Sequence, residues 1–129
     1  MKHEVWFDKE HNVLREKFLG GFTEEDVPEY LSRMRAVYNK SGDQCRVIVD
    51  LSQASQPFYN KRTRELLIQG SAKQRYVEER VAMVNAKPDI RMLIKVLVAG
   101  MKHKGKDIEA RFFDSEDEAL NWLNNNNGH

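Results

Sequence analysis

A single cysteine, Cys45, stands among 129 residues, and one thiol cannot close an internal disulfide. Its place at the entrance of an apolar run favours a small packed side chain over a reactive thiol. Three prolines and seven glycines are too few for a fibrous or low-complexity chain. No fully apolar run exceeds four residues, as in Val96 to Ala99, whereas a membrane-spanning helix needs about 20. Nor does an apolar core follow Met1-Lys2-His3-Glu4, as it would in a secretory signal. A cytoplasmic protein that does not span a membrane is therefore expected. Metal-ligand spacings are also missing: His3, His11, His103 and His129 lie in four different segments, and neither Cys-x-x-Cys nor His-Glu-x-x-His occurs. No metal and no cofactor are expected. Gly20-Gly21 is followed by neither a Lys-Ser/Thr pair nor spaced glycines, so it reads as a turn and not as a phosphate loop.

The residues that are present suffice for one ordinary core. Hydrophobic residues make up 40% and charged residues 32%, as in soluble globular chains, and the length fits one domain. That domain is expected over residues 1–123, with 124–129 as a frayed, Asn-rich tail. The net charge of +1 conceals a segregation, because residues 57–106 carry twelve Lys/Arg against four Asp/Glu. Such a block can attract an anionic ligand or an acidic partner. Its simpler reading is a pair of solvated helices neutralised by the acidic ends of the chain.

The organising stretch is Arg46-Val47-Ile48-Val49-Asp50-Leu51-Ser52. Successive Val, Ile and Val suit a strand covered on both faces, which has no solvent side for polar residues to alternate onto. Before it, His3 to Asp8 and Val13 to Phe18 read as an antiparallel hairpin. A first helix follows, capped by Thr23 or by Asp26. Asp26 is the better fit, since it puts Pro28 in the first turn and lets Glu29 complete a capping box. Asn60 caps a second helix running to about Tyr76, in which Gly70 marks a kink or a close approach to the sheet. Arg80 to Val84 is the next strand. Pro88 opens a third helix whose Ile90, Leu93, Ile94, Leu97, Val98 and Met101 recur at helical spacing, ending around Gly100 to Gly105. Asp107 to Phe113 is the last strand, and Ser115 to Glu118 opens the last helix as a capping box. The predicted order is β-β-α-β-α-β-α-β-α in a single α/β domain.

That order, together with Val47-Ile48-Val49-Asp50-Leu51-Ser52, resembles the STAS superfamily of anti-sigma-factor antagonists. Arg80 to Val84, the helix containing Met92, Lys95 and Val96, and Arg111-Phe112-Phe113-Asp114-Ser115-Glu116-Asp117-Glu118-Ala119-Leu120-Asn121-Trp122-Leu123 sharpen the likeness to its bacterial SpoIIAA-like, or STAS/Sec14-like, branch. The resemblance implies a mixed, mostly parallel sheet and a regulatory or protein-interaction role without catalysis. In phosphoswitch members a short Asp-Ser-Ser-Gly-type motif opens the second helix with a phosphorylatable serine. The matching stretch here is Phe58-Tyr59-Asn60-Lys61, which holds no serine, so phosphorylation is not carried over.

Two functions from different classes follow. The first is a non-enzymatic interaction domain using the surface from Ser52 through Ser55, Asn60, Lys61 and Arg62 to Arg64. The second is a carrier or sensor of a small anionic or lipid-like ligand, bound where parallel strands end. Those ends are Asp50-Leu51-Ser52 and Val84-Asn85-Ala86-Lys87, with Arg91 one turn into the next helix. Asp50 could act as a buried general base, but the resemblance implies a structural carboxylate that bonds the following loop. No partnering nucleophile is identifiable, and an enzyme is not expected. Tyr59, Lys61, Arg62, Arg64 and Tyr76 could stack on and neutralise a nucleic acid, yet no binding motif accompanies them and that partner is not expected. Met92 and Val96 lie outside the core stripe of the third helix, which predicts a homodimer through that helix.

Overall fold

The structure is a computed structural model and describes residues 1–41, 44–72 and 78–125. Five strands form one sheet in the order β1-β2-β3-β4-β5. They are β1 (Glu4–Asp8), β2 (Val13–Lys17), β3 (Gln44–Asp50), β4 (Glu78–Val84) and β5 (Ile108–Phe113). β1 and β2 are the expected antiparallel hairpin, and β2 to β5 run parallel. Helices α1 (Val27–Ser41), α2 (Lys61–Ala72) and α3 (Pro88–His103) join successive parallel strands, and α4 (Glu116–Asn125) follows β5. The strand and helix order is the one the sequence predicts.

Crossovers that advance in one direction across a sheet, with one handedness, place their helices on one face. Accordingly Val27, Met34, Leu67, Ile90 and Ile94 of α1, α2 and α3 pack against Leu14, Val47, Val49, Val81 and Met83 of the sheet. On the other face Ala119 and Leu123 of α4 cover Val13, Ile48, Ala82 and Val84. β3 is thus covered on both sides, which is why Val47, Ile48 and Val49 are all buried.

Several local expectations are corrected. The first helix enters through a 3-10 turn, Glu24–Asp26, begun by Thr23, and the Asp26 carboxylate accepts the Thr23 backbone N–H at 3.0 Å. Asp26 is therefore the third residue of the Thr23 capping box, and Glu29 instead pairs with Arg33 one turn on. α2 continues as one helix through Gly70 to Ala72. A Cβ at Gly70 would fall 2.2 Å from Leu31 Cδ1, so the close approach is to α1 and not to the sheet. Gly100 lies inside α3, where a Cβ would meet Ile68 Cδ1 at 2.4 Å, and the helix continues to His103. These two glycines let three helices pack side by side over the sheet. β4 starts two residues earlier than expected, at Glu78. At the last helix, Ser115 Oγ accepts the Glu118 backbone N–H at 3.3 Å and also donates to the Glu118 side chain. α4 extends through Asn125, and the expected end of the second helix at Tyr76 and tail residues 126–129 lie outside the described residues. Trp6 and Phe7 of the edge strand β1 are both exposed.

Candidate functional site

Strand alternation sends every second side chain to the helix-covered face. In β2 and beyond it, those residues are Leu14, Glu16 and Phe18, and in β4 they are Glu79, Val81 and Met83. Two carboxyl groups are thereby carried under the helices, and both Glu16 and Glu79 are buried. α1 supplies the polar partners, two helical turns apart. The Tyr30 hydroxyl donates to Glu16 Oε1 and the Tyr38 hydroxyl to Glu79 Oε2, each at 2.8 Å. Lys106, just before β5, brings its ammonium 3.1 Å from Glu79 and over the Tyr38 ring.

These groups line a cavity between the sheet and α1, α2 and α3, with about 80 Å³ open to the centres of water-sized molecules. The remaining walls are mostly apolar, among them Phe22, Met34, Leu67, Ile94 and Leu97. Burial pushes the Glu16 carboxyl up to about 8, outweighing the opposing hydrogen bond from the Tyr30 hydroxyl, and the Glu79 carboxylate adds a smaller upward push. At neutral pH Glu16 is mainly a neutral acid. Burial likewise holds the Tyr30 and Tyr38 hydroxyls well above the usual phenol range, so both remain donors. The site can enclose apolar matter and offer it a few hydrogen bonds.

One end of the wall is fixed by His3. Its Nδ1 accepts the Leu19 backbone N–H at 3.0 Å, which leaves the proton on Nε2 to donate to Asp26 at 3.1 Å. The ring stacks on Phe22 and meets Phe18 edge-on, and both phenylalanines line the cavity. Burial lowers the His3 pKa despite the Asp26 carboxylate, which keeps the ring neutral. Tyr59 closes another side by donating its hydroxyl to the Leu93 carbonyl of α3.

The residues singled out in the sequence lie elsewhere. Asp50, Ser52, Ser55, Asn60, Lys61, Arg62, Asn85 and Lys87 gather at the carboxyl end of the parallel strands, with Arg64 and Arg91 about a turn into their helices, and none of the ten lines the cavity. Asp50 Oδ1 accepts the Ser52 N–H at 2.9 Å and its hydroxyl at 2.7 Å, closing the turn that leaves β3. Asn60 Oδ1 accepts the Thr63 N–H at 2.8 Å, so it caps α2 as predicted. Ser55 and Gly20 are joined through the backbone. Lys61 and Arg62 are exposed, and Asn85 holds a positive φ of 59°. Arg91 lies over the Phe112 ring, and its Nε is buried without a hydrogen-bond partner. The only group of metal-type donors found among the described residues is Asp8, Glu10 and His11. Asp8 is already bound to Arg15 at 2.7 Å and to His11 at 2.8 Å.

The cavity was missed because its polar groups come from distant segments. A signal was nonetheless present, since Glu16 falls between Leu14 and Phe18, and Glu79 two residues before Val81.

A mixed five-stranded sheet with three crossover helices on one face and a final helix on the other defines a STAS-like α/β domain. No helix among the described residues is long and apolar enough to cross a membrane. The family described as SpoIIAA-like matches residues 13–124, and the chain belongs to it. The crystal structure of an uncharacterized protein of Shewanella loihica with a SpoIIAA-like fold is similar, with a TM-score of 0.64 and 17% identity over 94% of this chain and 91% of that one. At that identity the likeness is one of fold. No curated protein matches the chain.

Proposed function

We propose that the protein is a non-enzymatic binding domain that carries or senses a lipid-like small molecule held between the sheet and α1, α2 and α3. The observation that supports this reading is the cavity itself. Its 80 Å³ is room for several waters, yet most of its walls are apolar and hold water poorly. Displacing that water with an alkyl chain is favourable at roughly 25 cal/mol per Å² of apolar surface covered. A neutral fluorescent probe, N-phenyl-1-naphthylamine, should bind with enhanced emission. Ser71 is buried in the wall on α2, so Ser71→Leu fills the space and should abolish that emission while leaving the fold intact by circular dichroism. No binding by the unaltered protein contradicts the reading.

A regulatory protein-interaction role is the second reading, favoured by membership of a STAS-like family. Its surface would be the exposed loop at Ser52 and Ser55 with Lys61 and Arg62 at the start of α2. Failure to capture a specific partner from its own cells would count against it. A homodimer through α3 belongs to the same proposal, with Met92 70% and Val96 46% exposed. A monomer mass by light scattering at micromolar concentration contradicts it.

A further inference from the structure

We infer that the cavity selects an apolar chain bearing one uncharged oxygen head group, an alcohol or a carbonyl, docked on the Glu16–Tyr30 pair. The inference rests on the reading of the cavity as a ligand site and names the class of ligand. It follows from what faces Glu16. Tyr30 of α1 donates to it and Glu79 of β4 acts on it, while Tyr38 of α1, Tyr59 at the entry to α2 and Lys106 at the entry to β5 line the same cavity, and Cys45 of β3 acts on the two α1 tyrosines.

An anionic head would meet two carboxyl groups. Among the described residues the cation that lines the cavity is Lys106, and it is already held by Glu79 at 3.1 Å. A cationic head would have to shed its water among apolar walls and take Glu16 as a carboxylate, beside a second carboxylate. Both routes bury charge. An uncharged oxygen avoids this. Tyr30 donates to one Glu16 oxygen at 2.8 Å, so in the neutral acid the proton sits on the other oxygen and is available to the ligand. A ligand hydroxyl can in turn donate to Glu16. The Tyr59 hydroxyl is engaged by the Leu93 carbonyl, which leaves Glu16 on the sheet and the Ser71 hydroxyl on α2 as donors among the described residues of the wall.

The test is competition of 1-octanol, octanoate and octylamine against N-phenyl-1-naphthylamine, near pH 6.5 and near pH 9, on the unaltered protein, Glu16→Leu and Glu16→Gln. Octanol should displace the probe at least about tenfold better than either charged analogue near pH 6.5. Its advantage should shrink near pH 9, where Glu16 loses its proton. Glu16→Leu should weaken octanol by about tenfold while still binding the probe. Glu16→Gln, an amide donor at every pH, should lose the pH dependence. Tighter binding of octanoate or octylamine, or an unchanged pH dependence in Glu16→Gln, overturns the head-group inference while leaving the cavity as a ligand site. If the probe itself fails to bind, the cavity reading falls and the inference with it. Should either variant fail to fold, the ranking of the three heads on the unaltered protein decides.

Discussion

Tyr30 of α1 donates its hydroxyl hydrogen to Glu16 of β2 at 2.8 Å, in a site where burial pushes the carboxyl up to about 8. In the unfolded chain the same carboxyl titrates near its usual 4.5. Between these values the folded protein binds a proton that the unfolded chain has released. Stability contributed by Glu16 is therefore fully present below pH 4.5 and is lost as pH rises through about 8. The loss is on the order of 5 kcal/mol across the window. Urea unfolding at pH 5, 7 and 9 should show this decline, and Glu16→Gln should flatten it; an equally steep decline in the variant contradicts the assignment.

Lys106 and Glu79 form a buried ion pair, with side chains only 7% and 6% exposed. Removing one charge strands the other in a poorly solvated site. Lys106→Met should thus destabilise the fold by about 3 kcal/mol. Adding Glu79→Gln to that variant should restore part of the loss, because the stranded charge is gone. Equilibrium denaturation of the two single variants and the double variant measures the coupling, and strict additivity would show that the pair does not act together.

Two glycines differ in what a methyl group would strike. At Gly21 it would sit 2.3 Å from the Pro57 carbonyl oxygen, which is backbone and cannot step aside. At Gly100 the obstacle is the tip of Ile68, a side chain that can rotate. Gly21→Ala should destabilise by about 3 kcal/mol. Gly100→Ala should change stability by about 1 kcal/mol or less, since alanine's helix propensity offsets the repacking. Thermal unfolding of both variants checks the contrast.

The fold was legible in the sequence wherever a local pattern carried it. Val47 to Val49 announced the doubly covered strand, and Ile90 to Met101 the third helix. Asn60 and Ser115 marked helix starts through bonds to residues three positions on. Features set by long-range geometry were not legible. Gly70 and Gly100 looked like interruptions because their partners, Leu31 and Ile68, are far away in sequence. Pro28 favoured Asp26 as the cap, but the Asp26 carboxylate turns back to the Thr23 N–H and is shared with His3, 23 positions upstream. The cavity lay furthest from view, since Tyr38 and Glu79 are 41 positions apart. Starting β4 at Arg80 left Glu79 outside the sheet and hid its inward phase.

Native mass spectrometry of gently purified protein, beside Ser71→Leu, is the most direct measurement of whether the cavity holds a ligand. The prediction is a noncovalent small-molecule adduct on the unaltered protein, removed by organic extraction and missing from Ser71→Leu. A bare protein mass that stays bare after incubation with 1-octanol and N-phenyl-1-naphthylamine would contradict it.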